Sequence, residues 1–222
     1  MELFELFSII GTVAFAVSGA LVAMEEEYDV LGVVVLGLAT AFGGGILRNI
    51  LIGVPVTTIW TQGPLMLVAC ISIAAAFLVP VSWIRHWKRA EAWLDAIGLG
   101  AFAIQGALYA VKMNHPVSAV AVAALLTGVG GGIIRDLLAG RKPVVLRDEI
   151  YAVWAIIGGL AVAFGWSKTT AEMIVLFVVI VCSRMLSVHY RWKLPRRSLK
   201  NSLFTGKTES AEMSMKEQKA SS

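Results

Sequence analysis

Charge is scarce in this chain. Of its 222 residues, 15% are charged and 58% are hydrophobic, and the mean hydropathy is +0.77. A soluble domain carries about 25% charged and about 45–50% apolar residues. The shortage excludes an ordinary soluble enzyme, a disordered protein and a collagen-like fibre. Cysteine is scarce too. Cys70 and Cys182 are the only two, both within apolar runs, so there is no disulfide scaffold and both thiols are expected to be buried. The three histidines, His86, His115 and His189, fall in connections or the tail, away from any cysteine at metal-ligand spacing. No nucleophile elbow or phosphate-cradling loop is present, so neither an enzyme nor a cofactor or metal site is indicated. The alternating ten-residue segments of a membrane β-barrel are missing as well.

What remains is long apolar runs. A helix needs about 20 apolar residues to cross the hydrocarbon core. Seven segments qualify: Phe7–Met24, Val30–Ile52, Pro64–Trp83, Ala92–Val111, Pro116–Leu138, Ile150–Phe164 and Ala171–Val188. The fold class expected is an all-α polytopic membrane protein with seven transmembrane helices. Trp60, Trp83, Trp87, Trp93, Trp166 and Trp192 lie near span ends, where indoles suit the interface. The first span is flanked by Glu2 and Glu5, with no cleavage site followed by a soluble region, and is expected to be retained.

Basic residues orient the chain. With the N-terminus outside, the inward connections and the tail hold fourteen Lys and Arg, the outward ones hold only Lys112 and Lys168, and three lie in spans. The positive-inside rule then places the C-terminus in the cytoplasm. The net charge of +4 comes from loop ends and the tail at 189–200. It points to topology or to anionic lipid, and not to nucleic acid. Residues 201–222 are polar and are expected to be disordered.

The chain also repeats itself. An offset of 87 residues aligns Ser8–Gly53 with Asp95–Gly140 without a gap, with 21 of 46 positions identical. Gly43-Gly-Gly-Ile-Leu-Arg-Asn49 matches Gly130-Gly-Gly-Ile-Ile-Arg-Asp136, and Thr40 matches Thr127. Three spans per copy is an odd number, so the second copy is expected to insert upside down. Such inverted repeats build sites near the midplane at their interface. The expected organisation is 1–87 for the first repeat, 88–170 for the inverted second, 171–188 for a seventh helix and 189–222 for a basic, then polar, cytoplasmic tail.

The repeated motifs supply the candidate residues. Gly43, Gly44, Gly45 and Gly130, Gly131, Gly132 are expected to let helices two and five unwind, freeing carbonyls and amides for a transport site. Close packing through small residues is the competing use. Ser18 and Gln105 occupy equivalent polar positions before a repeated glycine, and with Thr40 and Thr127 they are expected to line an uncharged pathway or to bond between helices. Arg48 and Arg135 follow the glycines close to span ends, so each either snorkels or serves a lipid, a carboxylate or a gate. Asp136 adjoins Arg135, but neighbours on a helix do not face one another, so its partner is expected from another helix. Asp95 is expected to cap the fourth span. Arg184 is expected to snorkel.

The paired GGG-I-[IL]-R-[DN] segments and the paired A-F-A-x-x-G-A-L segments resemble the bacterial branch of the trimeric intracellular cation channel (TRIC) family, with its two glycine-transporter-type repeats. The resemblance covers roughly residues 5–190. It implies an inverted three-plus-three repeat with a seventh helix, a homotrimer, and a pore within each protomer shaped by kinks at the two glycine triplets. Arg135 matches the position where the animal channels bind anionic lipid. Two positions depart from the bacterial pattern, with Ser8 and Asn49 standing where acids are frequent, while Asp95 and Asp136 remain. Any carboxylate-dependent step is thereby assigned to the second repeat. Three functions compete: a potassium-type monovalent cation channel, a carrier of glycine or another small zwitterion, and a non-conducting scaffold.

Overall fold

The computed structural model describes residues 2–79, 87–146, 150–166 and 169–192. Seven α-helices run through them: α1 Glu2–Glu25, α2 Val30–Leu51, α3 Gly63–Leu78, α4 Trp87–Lys112, α5 Val117–Leu138, α6 Tyr151–Ala163 and α7 Thr170–His189. A 3-10 turn at Val56–Thr61 leads into α3 and another, at Val144–Leu146, follows α5. The stretches α1 from Leu3, α2, α4 from Ala90, α5 and α7 are long and apolar enough to cross a membrane. The remaining two are shorter, at 16 residues for α3 and 13 for α6. At 1.5 Å per residue, α6 spans about 20 Å, less than a hydrocarbon core of about 30 Å. The third expected span is also cut back. Its helix ends at Leu78, Val79 is extended, and Trp83 lies outside the described residues.

Local sequence explains the ends. Asp29 accepts a hydrogen bond from the Gly32 amide and caps α2, and Thr169 with Glu172 forms a capping box on α7. Helices α2 and α5 stop in the same way. Gly53 and Gly140 adopt φ of +75° and +70° just past each helix. The next amides, of Val54 and Arg141, reach back to the Asn49 and Asp136 carbonyls. This left-handed closure favours glycine and satisfies carbonyls that the helix end leaves open.

Helix α1 packs on α2, α3 and α4, α5 packs on α2, α4 and α6, and α7 packs on α4 and α6. Tyr28, just before α2, donates to the Leu138 carbonyl at the end of α5, while His115, just before α5, meets the Ile52 carbonyl at the end of α2. Helices α2 and α5 therefore run antiparallel, and Arg48 and Arg135 sit at opposite ends of the bundle. The aromatic pair Phe15 and Phe102 joins the halves edge to face at 5.3 Å, each ring over the other repeat's glycine, Gly98 or Gly11. In lipid there is little hydrophobic drive between helices, so such close packing carries association.

The glycine triplets do not break their helices. Helices α2 and α5 continue through Gly43–Gly45 and Gly130–Gly132, which corrects the expectation of unwound backbone. The triplets bring the two helices together instead. A Cβ on Gly44 would lie 2.5 Å from the Thr127 carbonyl oxygen, and one on Gly131 would strike the Thr40 carbonyl. Both cysteines are unpaired and exposed, contrary to expectation, because the faces of α3 and α7 that carry them point away from the bundle. Those faces are apolar: Leu67, Ile71 and Leu78 on α3, Val175, Val178 and Val179 on α7. Trp60 and Trp166 stand largely exposed at helix ends.

Candidate functional site

Both motif arginines turn inward. Arg48 and Arg135 are each 2% exposed, so neither snorkels. The wiring around them is the same, with partners exchanged between repeats. Arg48 Nε and Nη2 donate to Asn49 Oδ1 at 3.1 and 2.8 Å, and Nη1 donates to Gln105 Oε1 at 2.9 Å. Gln105 donates to Ser8 Oγ at 3.1 Å, and Asn49 to Thr58 Oγ1 at 3.1 Å. In the other half, Arg135 Nε and Nη2 donate to Asp136 Oδ1 at 2.9 and 2.8 Å. Its Nη1 donates to Ser18 Oγ at 2.6 Å and to Asp95 Oδ1 at 2.7 Å. Asp136 uses its second oxygen to accept from the Val144 amide at 3.0 Å.

Two expectations are corrected by this geometry. Sequence neighbours do pair here, because an arginine long enough to fold back along its own helix reaches the next side chain. Asp95 does not cap α4, which starts eight residues earlier, at Trp87; it lies two turns in and faces Arg135. Arg184 is also buried, stacked over the Tyr151 ring at 4.4 Å, so it does not snorkel either. Thr40 and Thr127 donate to carbonyls four residues back in their own helices, both at 2.6 Å. Each hydroxyl packs over a glycine, Gly19 or Gly106, which helps the helices approach.

Equal wiring carries unequal charge. Among the described residues no carboxylate lies within 4 Å of Arg48; its contacts are amide oxygens and the face of Tyr109, 4.5 Å from the guanidinium carbon. Arg135 has three carboxylates within that distance: Asp95, Asp136 and Glu91, the last at 3.6 Å. The formal charge is +1 around Arg48 and −2 around Arg135. Sequence reasoning missed Glu91 and Tyr109. Both were accessible from helical spacing, since Glu91 precedes Asp95 by four residues and Tyr109 follows Gln105 by four.

Among the described residues, space follows the same asymmetry. A cavity of about 470 Å³ opens at the Arg48 end, with Arg48, Glu5, Gln105, Ser8, Thr61 and Gln62 among its polar lining and Phe4, Leu65 and Val68 among its apolar walls. It adjoins a narrow cavity of about 30 Å³ that shares Ser8, Arg48, Gln62 and Gln105 and reaches Thr12, Gly45 and Thr127. That is room for roughly two waters. The pocket at the Arg135 end, beside Gly132, Tyr151 and Asp95, holds about 10 Å³. Of the expected pathway residues, Gln105, Thr127 and Gly45 reach the narrow cavity and Gly132 the small pocket beside Arg135. Gly43 packs on Ile134, Gly44, Gly130 and Gly131 form the helix crossing, and Ser18 is held by Arg135. Beyond the Arg135 end, Arg141 donates to Glu26 at 2.6 Å and Glu25 at 2.8 Å. Partial burial alone would lower this guanidinium's pKa; its hydrogen bonds to Glu25 and Glu26 outweigh that and raise it.

A family model described as glycine transporter matches residues 5–82 and again 92–167. The UPF0126 membrane protein YvgT of Bacillus subtilis is 62% identical over 88% of this chain and 97% of its own length. The chain belongs to the bacterial TRIC-like UPF0126 family. Another UPF0126 relative, the inner membrane protein YadS of Escherichia coli, is 38% identical over 86% of the chain and 94% of its own length. The UPF0126 chain is accordingly a multi-pass membrane protein. A solved TRIC cation channel superposes with a TM-score of 0.76 at 38% identity, covering 88% of this chain and 98% of that one. The TRIC trimeric intracellular cation channel orthologue of Rhodobacter sphaeroides gives 0.72 at 32% identity, covering 86% and 99%. A TRIC channel of C. elegans, 15% identical with a TM-score of 0.56, shares the fold.

Proposed function

We propose that this protein is a monovalent cation channel of potassium type, assembled as a homotrimer with one pore in each protomer. The chain crosses the inner membrane seven times, with the N-terminus outside. Residues 1–87 and 88–170 form inverted repeats, 171–188 form a seventh helix on their flank, and 189–222 lie in the cytoplasm. The antiparallel run of α2 and α5 and the exchanged contacts around Arg48 and Arg135 support this topology.

One observation carries the channel reading: inside a single chain, between the repeats, a wide and mostly apolar cavity of about 470 Å³ leads to a narrow polar one of about 30 Å³ toward the bundle centre. The proteins of similar fold described as TRIC cation channels point the same way. The conducting path is lined by side chains, namely Ser8, Thr12, Asn49, Gln62, Gln105 and Thr127, because the helices keep their carbonyls. The Arg135 cluster and the Arg141–Glu25–Glu26 contacts close the cytoplasmic end, and conduction requires them to part.

The test is potassium conductance of reconstituted protein in planar bilayers. With Cys70 and Cys182 replaced by serine, Gln62→Cys should become blockable by a cationic thiol reagent, while Phe77→Cys on the outer face should not. Folded protein without conductance would overturn the channel. A second reading, a carrier of a small zwitterion, draws on Arg48 and Glu5 lining the same cavity with opposite charges. It requires saturable uptake that close analogues compete for.

A further inference from the structure

A buried guanidinium needs a counter-charge or a full set of acceptors, because an isolated ion is costly to desolvate. Arg135 has the counter-charge and four hydrogen bonds, to Asp136, Asp95 and Ser18, with the Glu91 carboxylate at 3.6 Å besides. Arg48 has neither. A guanidinium offers five N–H donors, and three are used, on Asn49 and Gln105. Two remain, on a side chain that lines both the wide cavity and the narrow one. The acids that neutralise the second repeat, Asp95 and Asp136, are Ser8 and Asn49 here.

We propose that the wide cavity is an oxyanion site. A singly charged carboxylate or phosphate seats on Arg48, with the Gln62 side-chain amide close by as a further donor, and supplies the counter-charge that the first repeat lacks; the Ser8 and Thr61 hydroxyls also line the cavity but donate to the Phe4 and Thr58 carbonyls. Glu5 also lines this cavity, but it is exposed and makes no ion pair with Arg48 among the described residues. Charge-assisted bonds to a guanidinium can be bidentate, which suits two free N–H groups. The walls of Phe4, Ile9, Pro64, Leu65, Val68 and Tyr109 are apolar, so the anion best matched is the head of an amphiphile whose chain follows them. Occupancy would also cancel the positive charge at the mouth of the path. That consequence rests on the channel reading, whereas the binding itself does not.

Binding is therefore read without flux, as the thermal midpoint of purified full-length protein in neutral detergent. Phosphatidylglycerol should raise the wild-type midpoint by several degrees, and phosphatidylcholine should not. Inorganic phosphate forms the second arm. A shift with phosphatidylglycerol alone assigns the anion to lipid; an equal shift with phosphate assigns it to a free oxyanion, and either supports the site. Arg48→Gln should lose the shift. Asn49→Asp, which installs the acid found at Asp136, should lose it too while keeping the arginine, and this covers the case of Arg48→Gln failing to fold. No wild-type shift with either anion, or an equal shift in wild type and both variants, would overturn the proposal.

Discussion

Three consecutive glycines on α2 face three different surroundings, and alanine substitutions separate them. At Gly44 a methyl group would sit 2.5 Å from the Thr127 carbonyl oxygen, 3.0 Å from that of Leu126 and 3.1 Å from the Gly131 nitrogen. All three are backbone atoms of α5, which cannot swing aside. Ordinary contact begins near 3.4 Å, so the helices would have to part by nearly 1 Å. Overpacking of this kind costs roughly 1–3 kcal/mol. Alanine returns up to about 1 kcal/mol through helix propensity. Gly44→Ala should therefore destabilise by up to about 2 kcal/mol net. At Gly45 the nearest atom is Arg48 Nη2 at 3.8 Å, so Gly45→Ala keeps the propensity gain and should stabilise. Gly43→Ala meets only the tip of Ile134, a side chain that can rotate, and should fall between them. The gap between neighbouring positions 44 and 45 is the overpacking term itself. At about 2–4 °C per kcal/mol for a chain of this size, thermal unfolding in detergent resolves it. Equal midpoints for Gly44→Ala and Gly45→Ala would refute the close crossing as the role of the triplet.

Other outcomes follow from the charge asymmetry. Arg135→Gln removes the cation from beside two buried carboxylates, Asp95 and Asp136, and the partly exposed Glu91, and should cost about 3–5 kcal/mol in chemical unfolding. Arg48→Gln leaves only neutral partners and should cost clearly less; the reverse order would refute the pairing. Arg141→Gln breaks contacts that are about a third exposed, so its effect on stability should stay within about 1 kcal/mol and fade in 1 M salt. On the channel reading, in which that contact helps hold the Arg135 end shut, the same variant should raise open probability in bilayer recordings.

The helices were legible because long apolar runs have few alternatives, and the duplication was legible because Gly, Phe, Thr and Arg matched without a gap. What remained hidden was direction. Periodicity places Arg48 near a span end, but whether it rises to the interface or turns into the bundle depends on what the neighbouring helices offer. Gln105 lies 57 residues away and Ser8 lies 40, and no local pattern announces them. The same holds for Asp95, whose role as a cap assumed that α4 starts where the apolar run does. The helix in fact begins at Trp87, in charged sequence, and carries Asp95 inward to Arg135. The triplets showed the limit most plainly. Glycine permits both unwinding and close approach, and only the partner helix at Thr127 and Gly131 decides between them.

The central claim is that the cavity between the repeats passes cations. It is tested most directly by flux from purified protein in sealed liposomes, with potassium and labelled glycine measured side by side. The account predicts potassium flux that rises without saturation and no accumulation of glycine. Saturable glycine uptake without potassium leak, from protein shown to be folded, would contradict it.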